Sequence, residues 1–526
     1  MRSDCSITTV AILGAALVCS LLLAAPAETV STRYVNDLLV FLDGGYRITQ
    51  GQVPNRDYHT ALGPVSFYIP AIGYWLTGRA GAVMPVGMVF VLLVMAGPMV
   101  HILRTRMRPA IAIPTGVLLI LIVASPNNTG EAMTDLSFAM FYNRIGWAAI
   151  GLLLLMHLRP YEPHKWQTAL DTASATVLAL LMLFTKASFG LVALAFLLLT
   201  LIQPVQRRWA ALSLLIVLVG AGLIELVWRG GMQHFADLAL AADVSGSRSL
   251  MTYLRILLDN RGEFLVFAFV VLLALWRTRS VPDFLFYGFC AATGLMLISQ
   301  NFQIRGVVTL LAGAAVAAET LMRHPRLKPV GSPDRIAAAA PLMLAVILLP
   351  LTFTSASALG LHAALALAKS GEAFDLPHSQ GLRLARLANE GDFRFMRTYL
   401  ASLREGAEVL SSLDDPPRQV FVLDFASPFA SMMRIPAPSG DSAWMHSGRN
   451  FNADHHPLAE EMFANVDIVM QPLEPVSRGT SELLVEIYDD YLKQNYDQVR
   501  TTAKWRVLRR TSSTAGGREE DDGFAG

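Results

Sequence analysis

Hydrophobic runs recur from the start of this chain to about residue 358, and that repetition constrains the fold more than any motif does. The apolar segments fall at about 7–26, 82–103, 110–125, 138–158, 168–185, 187–203, 209–228, 263–276, 284–299, 305–322 and 336–358. Crossing ~30 Å of hydrocarbon takes roughly 20 residues, so several suffice alone and the shorter ones need flanking residues. Hydrophobic residues make up 53% of the chain and charged residues 16%, with a mean hydropathy of +0.45, which exceeds what a soluble core needs. The expected fold is therefore an all-α polytopic membrane core of about eleven transmembrane helices, followed by a small α/β soluble domain.

One apolar stretch does not fit a span. Residues 64–77 give only about 21 Å at ~1.5 Å per residue, so this segment is expected to be re-entrant or interfacial. Lys and Arg cluster at Arg104, Arg106 and Arg108, at Arg159 and Lys165, at Arg207 and Arg208, at Arg277 and Arg279, and at Arg323, Arg326 and Lys328. The positive-inside rule makes those loops cytoplasmic. They alternate correctly with the other loops only if 64–77 does not cross, which leaves the N-terminus inside and residues after 358 outside the cytoplasmic (inner) membrane. Ala24-Ala25-Pro26-Ala27 also fits a cleaved signal, and the outer placement of the next loop holds either way.

The expected division is a core over 1–358, with outer loops at 28–63 and 229–262, an extracytoplasmic α/β domain over 359–510, and a disordered Gly-rich, acidic tail over 511–526. In the soluble part, 380–412 and 481–494 have helical spacing, while 420–424, 466–470 and 505–508 read as short strands. A formal net charge of +1 and the lack of a basic patch argue against nucleic acid. Cys5, Cys19 and Cys290 all lie in or beside hydrophobic segments, so the soluble part has no thiol for a disulfide or a zinc site. His455 and His456 beside Asp454 read as a solvated loop, since neighbouring residues rarely ligate one ion alone.

The outward loops hold the chemistry-bearing residues: Asp37, Asp43 and Asp57; Glu131 and Asp135; Lys186 between two apolar helices; and Gln300, Asn301 and Arg305. Asp43-Gly-Gly-Tyr46, Gly51, Pro54-Asn-Arg-Asp57-Tyr58 and Gly63-Pro64 together resemble the first outer loop of the glycosyltransferase C superfamily. The resemblance is to the group containing the aminoarabinose and protein O-mannosyl transferases. It implies an inverting glycosyltransferase that takes a sugar from a polyprenyl-phosphate donor and gives it to an extracytoplasmic glycan, lipid or protein. It also implies catalytic roles for Asp43, Asp57 and Asp135, with Lys186 and Arg305 on the donor phosphate. A divalent cation stays open as a cofactor, because related enzymes differ. Gly63-Pro64 departs from the Lys-Pro-Pro of the aminoarabinose branch and so counts against a lipid A acceptor.

The chemistry calls for these residue types. A carboxylate can take the acceptor hydroxyl's proton, and Lys and Arg can stabilise a departing phosphate. Each residue also has a structural reading: Asp37 and Asp135 as helix caps, Asp57 as a turn residue, Lys186 and Arg305 as interfacial anchors, and Glu225 with Arg229 as an i,i+4 pair. Asp43 is expected to open a Gly-Gly turn. The alternative function is a non-catalytic transporter or assembly scaffold.

Overall fold

The computed structural model describes residues 2–300, 303, 305–324, 334–387 and 389–511, with side chains from residue 6 onward. Asn301, Arg326, Lys328 and the expected disordered tail beyond Thr511 lie outside the described residues.

All the apolar runs are helices. They are α1 (Arg2–Ala24), then, after β1 (Thr29–Ser31), α2 (Val35–Thr49) and α3 (Val65–Thr77), the helices α4 (Ala80–Arg106), α5 (Pro109–Ala124), α6 (Phe141–Leu154), α7 (Gln167–Thr185), α8 (Ala187–Thr200) and α9 (Arg207–Trp228). The outer segment that follows forms α10 (Gly231–Ser245) and α11 (Leu250–Asp259), and the core closes with α12 (Arg261–Thr278), α13 (Val281–Gln300), α14 (Val308–Arg323) and α15 (Arg335–Leu367). Six of these, α1 from Ser6, α4, α7, α9, α13 and α15, are long and apolar enough to cross a membrane; α5 and α8 are shorter apolar helices. Leu218, Leu223, Leu226 and Val227 of α9 and Leu342, Leu349 and Phe353 of α15 are exposed, as side chains facing lipid would be. This is a membrane protein.

Helix α15 starts on Asp334, whose carboxylate accepts from the Ile336 and Ala337 N–H groups at 3.1 and 3.2 Å. It carries Pro341 and Pro350 without ending and runs to Leu367, past the apolar limit expected at 358. Interior prolines are tolerated where neighbouring helices re-satisfy the freed carbonyls.

The loops sort into two groups. At one end, Arg323 donates to the carbonyls of Arg106 and Arg159, Glu319 accepts from the Arg108 N–H at 2.9 Å, and Arg277 pairs with Asp334 at 2.6 Å. These are the basic loops. At the other end the remaining loops bind one another and the C-terminal part. Both ends of α3 lie there: the Gly63 N–H donates to Thr185 O at 3.1 Å, and the Gly81 N–H to Gln380 O at 2.9 Å. Helix α3 thus starts and finishes at the same end of the helical core.

The C-terminal part is built on the 28–63 segment as well as beside it. β1 pairs in parallel with β3 (Leu382–Leu384), which is also antiparallel to β2 (Glu372–Ala373). The segment expected to be helical from 380 thus begins as a strand, and α16 (Glu390–Ser411) starts at its Asn389 cap. A second sheet, β4-β5-β7-β6, comprises β4 (Val420–Val422), β5 (Ile468–Pro472), β6 (Tyr496–Thr501) and β7 (Trp505–Arg510). The short helices α17 (Phe429–Met433) and α18 (Ala459–Met462) precede β5, and α19 (Arg478–Asn495) follows it. One hydrophobic core runs from Ile12 to Val507 through both parts, so buried apolar surface joins them.

Candidate active site

Asp43 lies inside α2, not at a turn. Gly44 and Gly45 continue the helix, and side chains there would collide with Phe67 and Pro70 of α3, so the glycines serve close helix packing. Asp43 is buried; its Oδ2 accepts from Arg47 Nε at 2.8 Å and its Oδ1 from the Ser431 N–H at 3.2 Å. Arg47, also buried, donates to both oxygens of Asp441 at 2.6 and 2.7 Å and to Pro438 O at 3.1 Å. Burial raises the Asp441 carboxyl above its ordinary value against the pull of Arg47, as expected where two carboxylates share one guanidinium. This network joins the outer loop to the soluble domain.

Asp57 closes a turn: its Oδ2 accepts from the Val53 N–H at 2.7 Å and from Arg56 at 3.0 Å. Asp135 faces Arg33 at 3.3 Å, and Arg33 also reaches Asp392 of α16 at 3.4 Å. It caps no helix, since α6 begins later, after Met140. Glu225 accepts from the Gly231 N–H at 3.0 Å, at the start of α10, while Arg229 ends α9 and donates to Leu226 O. No Glu225–Arg229 ion pair occurs among the described residues.

Lys186 fills the break between α7 and α8. Its Nζ donates to Asn143 Oδ1 at 3.0 Å and stands 5.3 Å from the Tyr142 ring centroid. The Gly63-Pro64 corner binds the adjoining Thr185 carbonyl, through the Gly63 N–H and, at 2.9 Å, the Ser66 hydroxyl; a side chain on Gly63 would strike Phe184 O. The corner that lacks a cation in sequence thus has one beside it in space. Arg305 is exposed and forms no ion pair among the described residues. Gln303 binds its carbonyl at 2.7 Å.

These five residues do not form one cluster. Around Asp37, however, a different constellation assembles. Asp37 occupies the first turn of α2, behind the Tyr34 N-cap, and is only partly buried. Burial pushes its carboxyl up to about 7, against its own backbone N–H and Asn36. Tyr142 lies within electrostatic reach of both Asp37 and Arg449, and Arg449 also reaches Lys186. Arg449 comes from the soluble domain, its carbonyl bound by Ser245 at the end of α10 at 3.2 Å. His446, whose ring feels the Arg449 charge, meets Trp444 and Phe425 edge to face, and those two rings tilt against each other, with centroids 5.5 to 6.0 Å apart. Tyr399 of α16 lies within reach of the Asp37 charge. Burial holds its phenol well above the ordinary value, and the Asp424 and Asp37 charges add to that shift. Asp424 is itself pushed up to about 6 by burial, despite accepting from the Phe425, Val476 and Ser477 N–H groups.

The arrangement gathers a carboxyl poised near neutrality and two cations around one ring, that of Tyr142. Sequence reading passed over Asp37 as a helix end and missed Arg449. The Asp43–Arg47 spacing was an available signal, because on a helix it marks an i,i+4 pair and turns Asp37, six residues earlier, to another face. Arg449 had no local signal. Among the described residues, no three His, Cys, Asp or Glu side chains converge on a metal-sized site.

No protein-family model matches the chain, and no curated protein matches it. Solved structures with an overall likeness include ArnT from Cupriavidus metallidurans bound to undecaprenyl phosphate. The identity is 13%, over 96% of this chain and 98% of that one, with a TM-score of 0.48. The same protein in the apo state gives 13% identity over the same shares and a TM-score of 0.46. The Archaeoglobus fulgidus oligosaccharyltransferase in complex with zinc and sulfate gives 12% identity over 90% of this chain and 70% of that one, with a TM-score of 0.36.

Proposed function

We propose that this protein is an inverting membrane glycosyltransferase that moves a sugar from a polyprenyl-phosphate donor to an acceptor outside the cytoplasmic membrane. The observation that carries this reading is Tyr142 as a common neighbour: Lys186 Nζ stands 5.3 Å from its ring centroid, and the charges of Asp37 and Arg449 both reach it. A carboxyl near neutrality is matched to general-base work, and paired cations are matched to a phosphate leaving group.

In the proposed reaction the acceptor oxygen attacks the anomeric carbon from the face opposite the phosphate. Its proton passes to Asp37. The bond from the anomeric carbon to the phosphate oxygen breaks, and the electron pair leaves with the phosphate, whose charge Lys186 and Arg449 balance. The isoprenoid tail lies between helices. Eleven crossings, with the soluble domain outside, are part of this reading.

We place the base at Asp37 rather than Asp43, because both Asp43 oxygens are engaged by Arg47 and Ser431 inside a closed network. Asp57 and Asp135 are read as holding the outer loop in shape, and Arg305 as a rim cation. The test is sugar transfer by the purified protein in nanodiscs with its lipid-linked donor. Asp37→Asn should lose turnover while still binding donor; wild-type turnover by that variant would remove the proposed base.

A further inference from the structure

One sizeable cavity lies not at the membrane but in the C-terminal domain. A groove of about 710 Å³ runs between α16, the end of β5 and the start of α19, lined by Phe395, Thr398, Tyr399, Gln471, Glu474 and Glu482 among others. Three features connect it to the proposed site. The Val35 N–H, two residues before Asp37, contacts the Met396 sulfur at 3.3 Å, on the turn of α16 that carries Phe395 and Tyr399. Asp392, one turn earlier, pairs with Arg33 at 3.4 Å. Tyr399 is buried, lines the groove and has a hydroxyl without a hydrogen-bond partner.

The lining selects among acceptor classes. Its charges are balanced: Arg478 pairs with Glu482 at 2.8 Å, and Glu474 with Lys504 at 2.8 Å, so no surplus of cations awaits a phosphorylated lipid headgroup. An extended peptide would need main-chain partners, yet Pro472 and Pro475 have no N–H, and the Val476 and Ser477 N–H groups are already donated to Asp424. β5 has no free edge, being paired on both sides. What the groove offers is a half-exposed Phe395 ring and the exposed Leu473 side chain beside Gln471, Thr398 and carboxylates. Apolar faces next to short polar side chains match the C–H face and hydroxyl rim of a sugar ring.

We infer that this groove seats an uncharged, water-soluble glycan, and that the hydroxyl it presents past Tyr399 is the acceptor for Asp37. The inference rests on the glycosyltransferase reading above and narrows it to one acceptor class. The step is the one already balanced: the glycan oxygen gains the sugar, Asp37 gains the proton, and the phosphate leaves with the bonding electrons.

The test uses membranes from cells overproducing the full chain, with the endogenous lipid-linked sugar tritiated. Thr398→Cys puts a thiol in the groove, to be capped with a bulky maleimide; Glu408→Cys, exposed elsewhere on α16, is the control. The expected result is tritium in a water-soluble, protease-resistant, periodate-sensitive polymer, with transfer cut at least tenfold by capping position 398 and unchanged by capping 408. Tritium in a lipid other than the polyprenyl carrier, separated from it by chromatography, or in a protease-released peptide overturns the inference while leaving the glycosyltransferase reading intact, as does full transfer after capping 398. Tritium that never leaves the carrier lipid, even in uncapped membranes supplied with soluble oligosaccharides, removes the parent reading and this inference with it.

Discussion

Arg47, in the first outer loop, binds both carboxylate oxygens of Asp441, 394 positions later in the sequence, at 2.6 and 2.7 Å, and neither residue is exposed. The same guanidinium holds Asp43 at 2.8 Å. One buried cation thus fastens the soluble domain to the membrane part beneath it, and removing a partner would strand a charge in a dry interior.

Asp441→Asn or Arg47→Met should therefore destabilise the folded protein by roughly 3 to 5 kcal/mol. Thermal unfolding in detergent, with limited proteolysis of the segment after residue 370, reads this. Wild-type melting of both variants would show that the network is dispensable.

Asp37→Asn should lower turnover by roughly 100- to 10,000-fold, the usual contribution of a positioned base, with little change in melting temperature. Asp43→Asn should do the reverse, losing stability in proportion to any loss of activity. The two variants, compared for activity per folded molecule, separate the base from the scaffold.

The carboxyl of Asp37 sits at about 7 because burial disfavours its charge. As a base it must be ionised, so kcat/KM should rise as pH increases through about 7 and then level off. Its linkage to stability has the opposite slope. With a folded pKa above the unfolded value, the folded state binds more protons, so this group's contribution to stability falls as pH rises from about 4 to above 7. Asp37→Asn should remove both slopes, and a profile unchanged in that variant would assign the titration elsewhere.

Lys186→Ala and Arg449→Ala should each weaken donor use by roughly tenfold to a hundredfold, the cost of about 1.5 to 3 kcal/mol for a lost charge-assisted hydrogen bond. Arg305→Ala, at an exposed side chain, should change it by no more than a few-fold. Titrating donor lipid against purified variants ranks the three; a larger effect at Arg305 would move the phosphate to the rim.

Fusion reporters active only outside the cytoplasm should work after residue 60, near 240 and after 370, and fail near 106 and 162. Activity at 106 would mean that α3 crosses the membrane.

The sequence by itself determined the apolar helices, the short α3 and the sorting of loops to two ends, because these follow from length, hydropathy and the positions of Lys and Arg within single segments, whereas α2, α10 and α11 read as loops. It also gathered the acidic and cationic candidates into the loops at one end. The tertiary structure alone decided which of those residues meet. Asp43 and Asp37 are both acids of α2, and while the i,i+4 spacing pairs Asp43 with Arg47, only long-range packing brings Asp441 and Ser431 to that pair and Tyr142 within reach of Asp37. Arg449 stands 263 positions from Lys186, the difference between their numbers in the chain. It reaches that cation's surroundings because β1 and β3 fold the C-terminal part back over the membrane core. Periodicity is local, whereas a site assembled from distant segments depends on long-range packing that no local pattern records.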